Sequence, residues 1–165
     1  MKKDPIRFLF VCTGNICRSP TAHAIFRRRI QERGLQSRLE CDSAGTHAYH
    51  VGEGADARSA LHGKRRGYDF SFHRSRKVNA ADFHDFDWIL AMDRSHLEIL
   101  QDMAVPDQRA KLAMFLSVTP DCGTQDVPDP YYGGDQGFEH VLDLCEHACD
   151  AWIHKALGEY GLIRK

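Results

Sequence analysis

The chain has 165 residues, 42% of them hydrophobic and 27% charged, and its formal net charge at pH 7 is -1. One domain of that length, expected to span residues 1–165, buries a core without disulfide or metal staples. The even charge balance sets aside nucleic acid and acidic membrane as bulk partners. No apolar stretch is long enough for a secretory signal or a membrane span. The expected location is therefore the cytoplasm, with all six cysteines as reduced thiols.

Apolar runs alternate with helical patterns, as in parallel strands joined by crossover helices. A first strand is predicted over residues 6–11, followed by a helix over 20–33 that Gly34 stops. A second strand covers 39–43, and a helix over 56–66 ends at Gly67. The third and fourth strands fall at 88–91 and 111–115, with helix over 95–103 between them. The last helix, 138–157, carries the plainest pattern. Val141, Leu142, Cys145, Ala148, Cys149, Trp152, Ile153 and Ala156 recur at three- and four-residue spacing, one apolar stripe that should dock on a sheet. The order predicts a small doubly wound α/β sheet, in which ligands bind beyond the carboxyl ends of the strands.

Chemistry concentrates where the first strand hands over to the first helix. Residues 12–20 read Cys-Thr-Gly-Asn-Ile-Cys-Arg-Ser-Pro. Ser19 suits an N-cap, and Pro20 suits the first helical position, where its missing N–H costs nothing. Free backbone N–H groups at that helix start, with the loop amides of Thr13, Gly14, Asn15, Ile16 and Cys17, form a cradle for a tetrahedral anion. Asn15 and Gly14 are expected to supply a left-handed turn. Arg18 adds a planar fork that grips two phosphate oxygens. Cys12, at the bottom of this positive bowl, is placed as a nucleophile that attacks phosphorus, with Ser19 as a second hydrogen-bond partner for its sulfur. No metal and no cofactor is needed for this chemistry.

The same residues resemble the low-molecular-weight protein tyrosine phosphatases. The likeness extends to residues 127–133, Val-Pro-Asp-Pro-Tyr-Tyr-Gly, which resemble that family's general-acid loop. Residues 86–93, ending in Met92 and Asp93, resemble its third-strand segment. The resemblance implies a flavodoxin-like sheet of order 2-1-3-4 with helices on both faces. It also implies phosphotyrosine hydrolysis through a phosphocysteine on Cys12. Asp129, held between two prolines, would protonate the tyrosyl oxygen and then activate water; Asp126 is the neighbour to exclude. Tyr49, in the 46–54 loop that matches the family's variable loop, would wall the slot together with Tyr131 and Tyr132. Ser43, His73 and Asp93 match outer positions that brace the phosphate loop. Cys17 matches a partner that closes a reversible disulfide with the nucleophile. His23 stands where the family usually has an acid, which leaves the charge state of His73 open. The implied partners are phosphotyrosine proteins, with inorganic phosphate as product, and a monomer or weak dimer is expected.

Other readings stay in play. A phosphoarginine phosphatase shares the fold, but that branch typically has threonine where this chain has Ile16. An arsenate reductase would need further thiols, and residues 44–111 contain no cysteine. A non-catalytic phosphate-binding or thiol redox-sensing module would not need Asp129. The clusters at Arg27, Arg28 and Arg29, at Lys64, Arg65 and Arg66, and at Arg74, Arg76 and Lys77 either steer an anionic substrate or form solvated faces. His140, His147 and His154, spaced two helical turns apart, are too far from one another to share a metal ion. Cys145 and Cys149 read as core.

Overall fold

Strand β1 (Ile6–Cys12) lies between two partners and is covered on both faces, which explains its nearly unbroken apolar run. The computed structural model describes residues 4–131 and 133–159. After β1 come α1 (Arg18–Glu32), β2 (Leu39–Gly45), α2 (Ala57–Arg65), α3 (Asp82–Asp85), β3 (Trp88–Ala91), α4 (Arg94–Met103), β4 (Leu112–Met114) and α5 (Asp135–Glu159). All pairings are parallel, as the alternating pattern predicts, and the strand order is β2-β1-β3-β4, the order that the family resemblance implies.

Alternation along β1 sorts its side chains into two cores. Phe8, Phe10 and Cys12 face a layer that includes Phe26 of α1, Phe115, and Cys145, Cys149 and Trp152 of α5. Leu9 and Val11 face the other layer, with Phe83 of α3, Phe86 and Leu100 of α4. Phe8, Phe10, Phe26 and Phe115 pack as tilted or edge-on aromatic pairs with centroids 4.9–5.6 Å apart. Every residue of the α5 stripe is buried, and Trp152 also donates its indole N–H to the Phe115 carbonyl at 2.7 Å.

Several boundaries move. α5 starts at Asp135, three residues before the predicted start at 138, because its first turn is polar and adds nothing to the apolar stripe. β4 keeps only three residues, since 3₁₀ turns at Pro106–Lys111 and Phe115–Val118 close in on both sides. α3 is a single four-residue turn, too short to leave a periodic pattern. α1 begins at Arg18, so Ser19 is not its N-cap. Cys17 holds that position without a side-chain cap bond, and Pro20 sits third in the helix. That proline still loses nothing, because the first four helical N–H groups have no partner within the helix.

Candidate active site

Three strand ends converge on the loop between β1 and α1. Thr46 and His47, just after β2, donate backbone N–H groups to the carbonyls of Cys12 and Thr13 at 2.8 and 3.0 Å. Gly45 is required by this approach, since a Cβ there would stand 2.6 Å from the Thr13 carbonyl oxygen. Beyond β3, Met92 receives the Val127 N–H at 2.8 Å, which brings the segment carrying Asp129 over the same sheet edge.

Asn15 holds the loop in shape. It alone among the described non-glycine residues has a positive φ, 58°; Gly14 does not share the left-handed turn expected of both. Asn15 is fully buried, and its side-chain amide donates to Ser19 Oγ at 2.8 Å and to Ser43 Oγ at 3.0 Å. Its side-chain oxygen accepts the Arg76 N–H, and its carbonyl accepts from Ser75 Oγ at 2.6 Å and His73 Nε2 at 2.7 Å. Ser19 Oγ accepts from Asn15 and has two neighbours for its own proton, Cys12 Sγ at 2.9 Å and the Ala44 carbonyl at 3.4 Å. A Ser19 side chain turned outward as a cap would instead consume N–H groups of the helix start. Among the described residues, no acceptor meets the backbone N–H groups of residues 13–18, so the concave face of the loop is a set of unused donors.

Arg18 is 4% exposed and is aimed by its partners. One terminal nitrogen donates to Asp93 Oδ2 at 2.7 Å and to the Val127 carbonyl at 3.0 Å. The other stands 3.4 Å from Thr13 Oγ1 and 3.8 Å from Asp129 Oδ2. Burial pushes the Asp93 carboxyl up, but Ser95, His96 and Arg18 outweigh it and hold the group below its ordinary value. Asp93 also caps α4, and its own N–H donates to His96 Nδ1 at 3.1 Å. A ring nitrogen that accepts carries no proton, so Nε2 of His96 is the donor to Thr13 Oγ1 at 2.7 Å. Burial, with the Arg18 charge, lowers His96 to about 4, consistent with that neutral tautomer.

The question left open at position 23 has a local answer. His23 Nδ1 meets Ser43 Oγ at 3.1 Å, and burial lowers His23 to about 4. His73 is lowered too, by burial, against the opposing effects of its bond to Asn15 and the charge of Asp42. Two neutral imidazoles thus flank the Ser43–Asn15 pair.

The pocket holds about 210 Å³ above Cys12 and is bordered by Ile16, Arg18, Tyr49, Asp129 and Tyr131. Asp129 is half-exposed and is fixed by the Tyr131 N–H at 2.9 Å. Asp126 is turned elsewhere and accepts the Arg94 N–H at 2.9 Å. Tyr49 is largely exposed and stacks on His47 with centroids 5.0 Å apart; Arg58 lies over the Tyr131 ring at 5.2 Å. Tyr132 lies outside the described residues. Cys17 borders the pocket, and burial pushes its thiol up to about 12 against the opposing effect of the nearby Ser59 hydroxyl. Sequence reasoning missed His96, Ser75, Ser59 and His50. Only His96 left a local signal, its three-residue spacing from the capping Asp93.

A thiol, a guanidinium and unused amide donors gathered on one small bowl make a site of the size and charge of a phosphoryl group. The description "Low molecular weight phosphotyrosine protein phosphatase" matches residues 7–161, and the chain belongs to that family and is a phosphatase. It is similar to the low molecular weight protein-tyrosine-phosphatase of Streptomyces coelicolor, 45% identical over 86% of this chain and 88% of that one. The protein tyrosine phosphatase of Entamoeba histolytica, solved with Hepes in its active site, superposes with a TM-score of 0.88 at 42% identity, covering 96% and 99% of the two chains. A Drosophila arginine phosphatase superposes with a TM-score of 0.84 at 33% identity, covering 91% and 98%.

Proposed function

We propose that the chain hydrolyses phosphotyrosine in proteins through a phosphocysteine on Cys12. The observation that carries this is the meeting of Cys12, Arg18 and Asp129 on one pocket, with the Ser19 hydroxyl 2.9 Å from the sulfur. Cys12 sulfur attacks phosphorus in line, the S–P bond forms and the P–O ester bond breaks. Asp129 gives its proton to the departing tyrosyl oxygen. The loop amides and the free edge of Arg18 hold the equatorial oxygens. Water then attacks phosphorus, Asp129 takes its proton, and Cys12 thiolate leaves with release of inorganic phosphate. Tyr49 and Tyr131 wall the slot for an aryl ring in this reading, and Cys17 supplies a resolving thiol. A monomer or weak dimer acting in the cytoplasm, one domain over residues 1–165, completes it.

The likeness to an arginine phosphatase keeps phosphoarginine as the rival substrate. Ile16 on the pocket wall favours an apolar ring over a guanidino group. Turnover of phosphotyrosine, phosphoserine and phosphoarginine peptides side by side, with Cys12→Ser as control, decides the matter. Preference for phosphotyrosine that Cys12→Ser abolishes supports the proposal; preference for phosphoarginine overturns the substrate and leaves the mechanism.

A further inference from the structure

Beside the phosphate pocket runs a second concavity of about 570 Å³, between α2 and the segment from Gly67 to Arg74. Its floor is Ala55, Ala60, Tyr68 and Phe70, and its flanks are Lys64 and Arg74. The floor is tight because Gly63 of α2 lets the Phe70 ring press against the helix. Ala60 and Lys64, four residues apart, share the helix face that borders the groove.

The two concavities are joined by covalent and hydrogen-bonded structure. Asp56 donates its backbone N–H to the Ile16 carbonyl at 2.8 Å, and Ser59 lies buried in the first turn of α2. Ala55 and Ala60, adjacent to those residues, line the groove. Gly52 and Glu53, which lie in the chain between pocket-lining His50 and groove-lining Gly54, bond to the backbone of Ser75 at 2.8 Å each, and Ser75 Oγ donates to the Asn15 carbonyl of the phosphate loop. A chain entering the pocket needs only a few extended residues, at ~3.3 Å each, to reach the groove.

Charge decides what the groove receives. Most cations nearby are committed: Arg58 to Asp56, Arg66 to Glu139 and Glu146, and Arg76 to Asp42 and Asp82. Glu53 is taken by His50 at 2.6 Å. Lys64 and Arg74 meet no carboxylate among the described residues, and both are exposed. Arg74 makes one hydrogen bond, to the His73 carbonyl at 2.7 Å, which fixes its direction. Asp69 is the single carboxylate on the groove wall, and its oxygen accepts the Ser71 N–H at 2.9 Å.

We infer that this groove binds an acidic stretch of the phosphorylated protein substrate, flanking the phosphorylated side chain. Lys64 and Arg74 meet its carboxylates, and the alanine and aromatic floor takes an intervening apolar side chain. This rests on the pocket being a phosphomonoester site, and it makes substrate choice a property of the segment around that site as well as of the slot.

The test compares p-nitrophenyl phosphate with three phosphotyrosine peptides: one neutral, one with glutamates before the phosphotyrosine and one with glutamates after it. The variant is Lys64→Glu with Arg74→Gln, the glutamine keeping a donor for His73. In the wild type, one acidic peptide should show a kcat/KM about three- to tenfold above the neutral one, carried by KM and eroded by salt. The variant should lose that advantage and retain p-nitrophenyl phosphate turnover. Equal treatment of all peptides at low ionic strength overturns the inference, as does an advantage that survives in the variant. An equal loss on every substrate also overturns it, by showing that the two residues only support the pocket. Failure of the wild type to turn over p-nitrophenyl phosphate would instead strike at the phosphatase site itself, and the groove reading would fall with it.

Discussion

The phosphate loop and the Asp129 loop face each other across one pocket and are built in opposite ways. Asn15 at the centre of the first is wholly buried, and its backbone and side chain are tied to Ser19, Ser43, His73, Ser75 and Arg76. The Asp129 side chain is 44% exposed, held by one backbone N–H and a 3.8 Å approach to Arg18. The difference follows from the tasks proposed for them. Donors that stabilise a phosphoryl group work best when already in place, because any reorganisation subtracts from transition-state binding. An acid that must meet the leaving oxygen, and later a water, gains from a site that opens to solvent. Its stiffness comes from Pro128 and Pro130, which restrict the backbone without closing the pocket.

Breaking the rigid half should have the largest effect. Arg18→Lys keeps a positive charge but loses the fork that Asp93 and Val127 aim. Turnover should fall about 10²–10³-fold, measured as kcat on an aryl phosphate. Asp129→Asn should cost a comparable 10²–10⁴-fold on poor leaving groups, much less on good ones, with little change in folding stability. A loss independent of leaving group would remove Asp129 as the acid.

Asn15→Ala should separate the two halves by stability instead. It strips the side-chain partner from buried Ser19 and Ser43 and from the Arg76 N–H, and puts a positive φ on a residue that tolerates it less well than asparagine. The expected loss is about 2–4 kcal/mol by urea unfolding. Pro130→Ala, in the other loop, should cost about 1 kcal/mol or less. Similar losses at both would erase the contrast.

Acid sensitivity sharpens the same point. His23 and His96 are lowered to about 4 by burial, against 6.5 in an unfolded chain. Between those values the unfolded state binds more protons, so stability falls as pH drops from 6.5 toward 4. The loss should be on the order of 2 kcal/mol per histidine, seen as a lower urea midpoint at pH 4.5 than at pH 7. His96→Gln should flatten that slope; an unchanged slope would contradict the assignment of His96 as neutral.

The smallest expected effect is at Cys17. Cys17→Ser should leave turnover nearly intact but make inactivation by peroxide hard to reverse with thiols, measured as recovered activity after oxidation. Full recovery in that variant would remove Cys17 as the resolving thiol.

The parts of the molecule that announce themselves locally were readable in the sequence. The β1 run and the α5 stripe are long periodic patterns, and residues 12–18 are contiguous. The bracing groups were harder because they arrive from distant segments. Ser75 reaches Asn15 across 60 residues, and His96 reaches Thr13 across 83. His73 and Ser43 were reached through family resemblance alone. The Ser19 cap was misplaced for a related reason. Local rules favour serine as a cap, but the tertiary pull of Asn15 and Cys12 turns its oxygen inward.

The central claim is that the phosphoryl group passes through Cys12. Rapid acid quench of the Asp129→Asn variant during turnover of a phosphotyrosine peptide, followed by mass spectrometry of its fragments, tests this directly. A phosphoryl group on the peptide containing Cys12, lost in the Cys12→Ser background, is the predicted result. Turnover with no covalent phosphoryl group, or with the group on another residue, would contradict it.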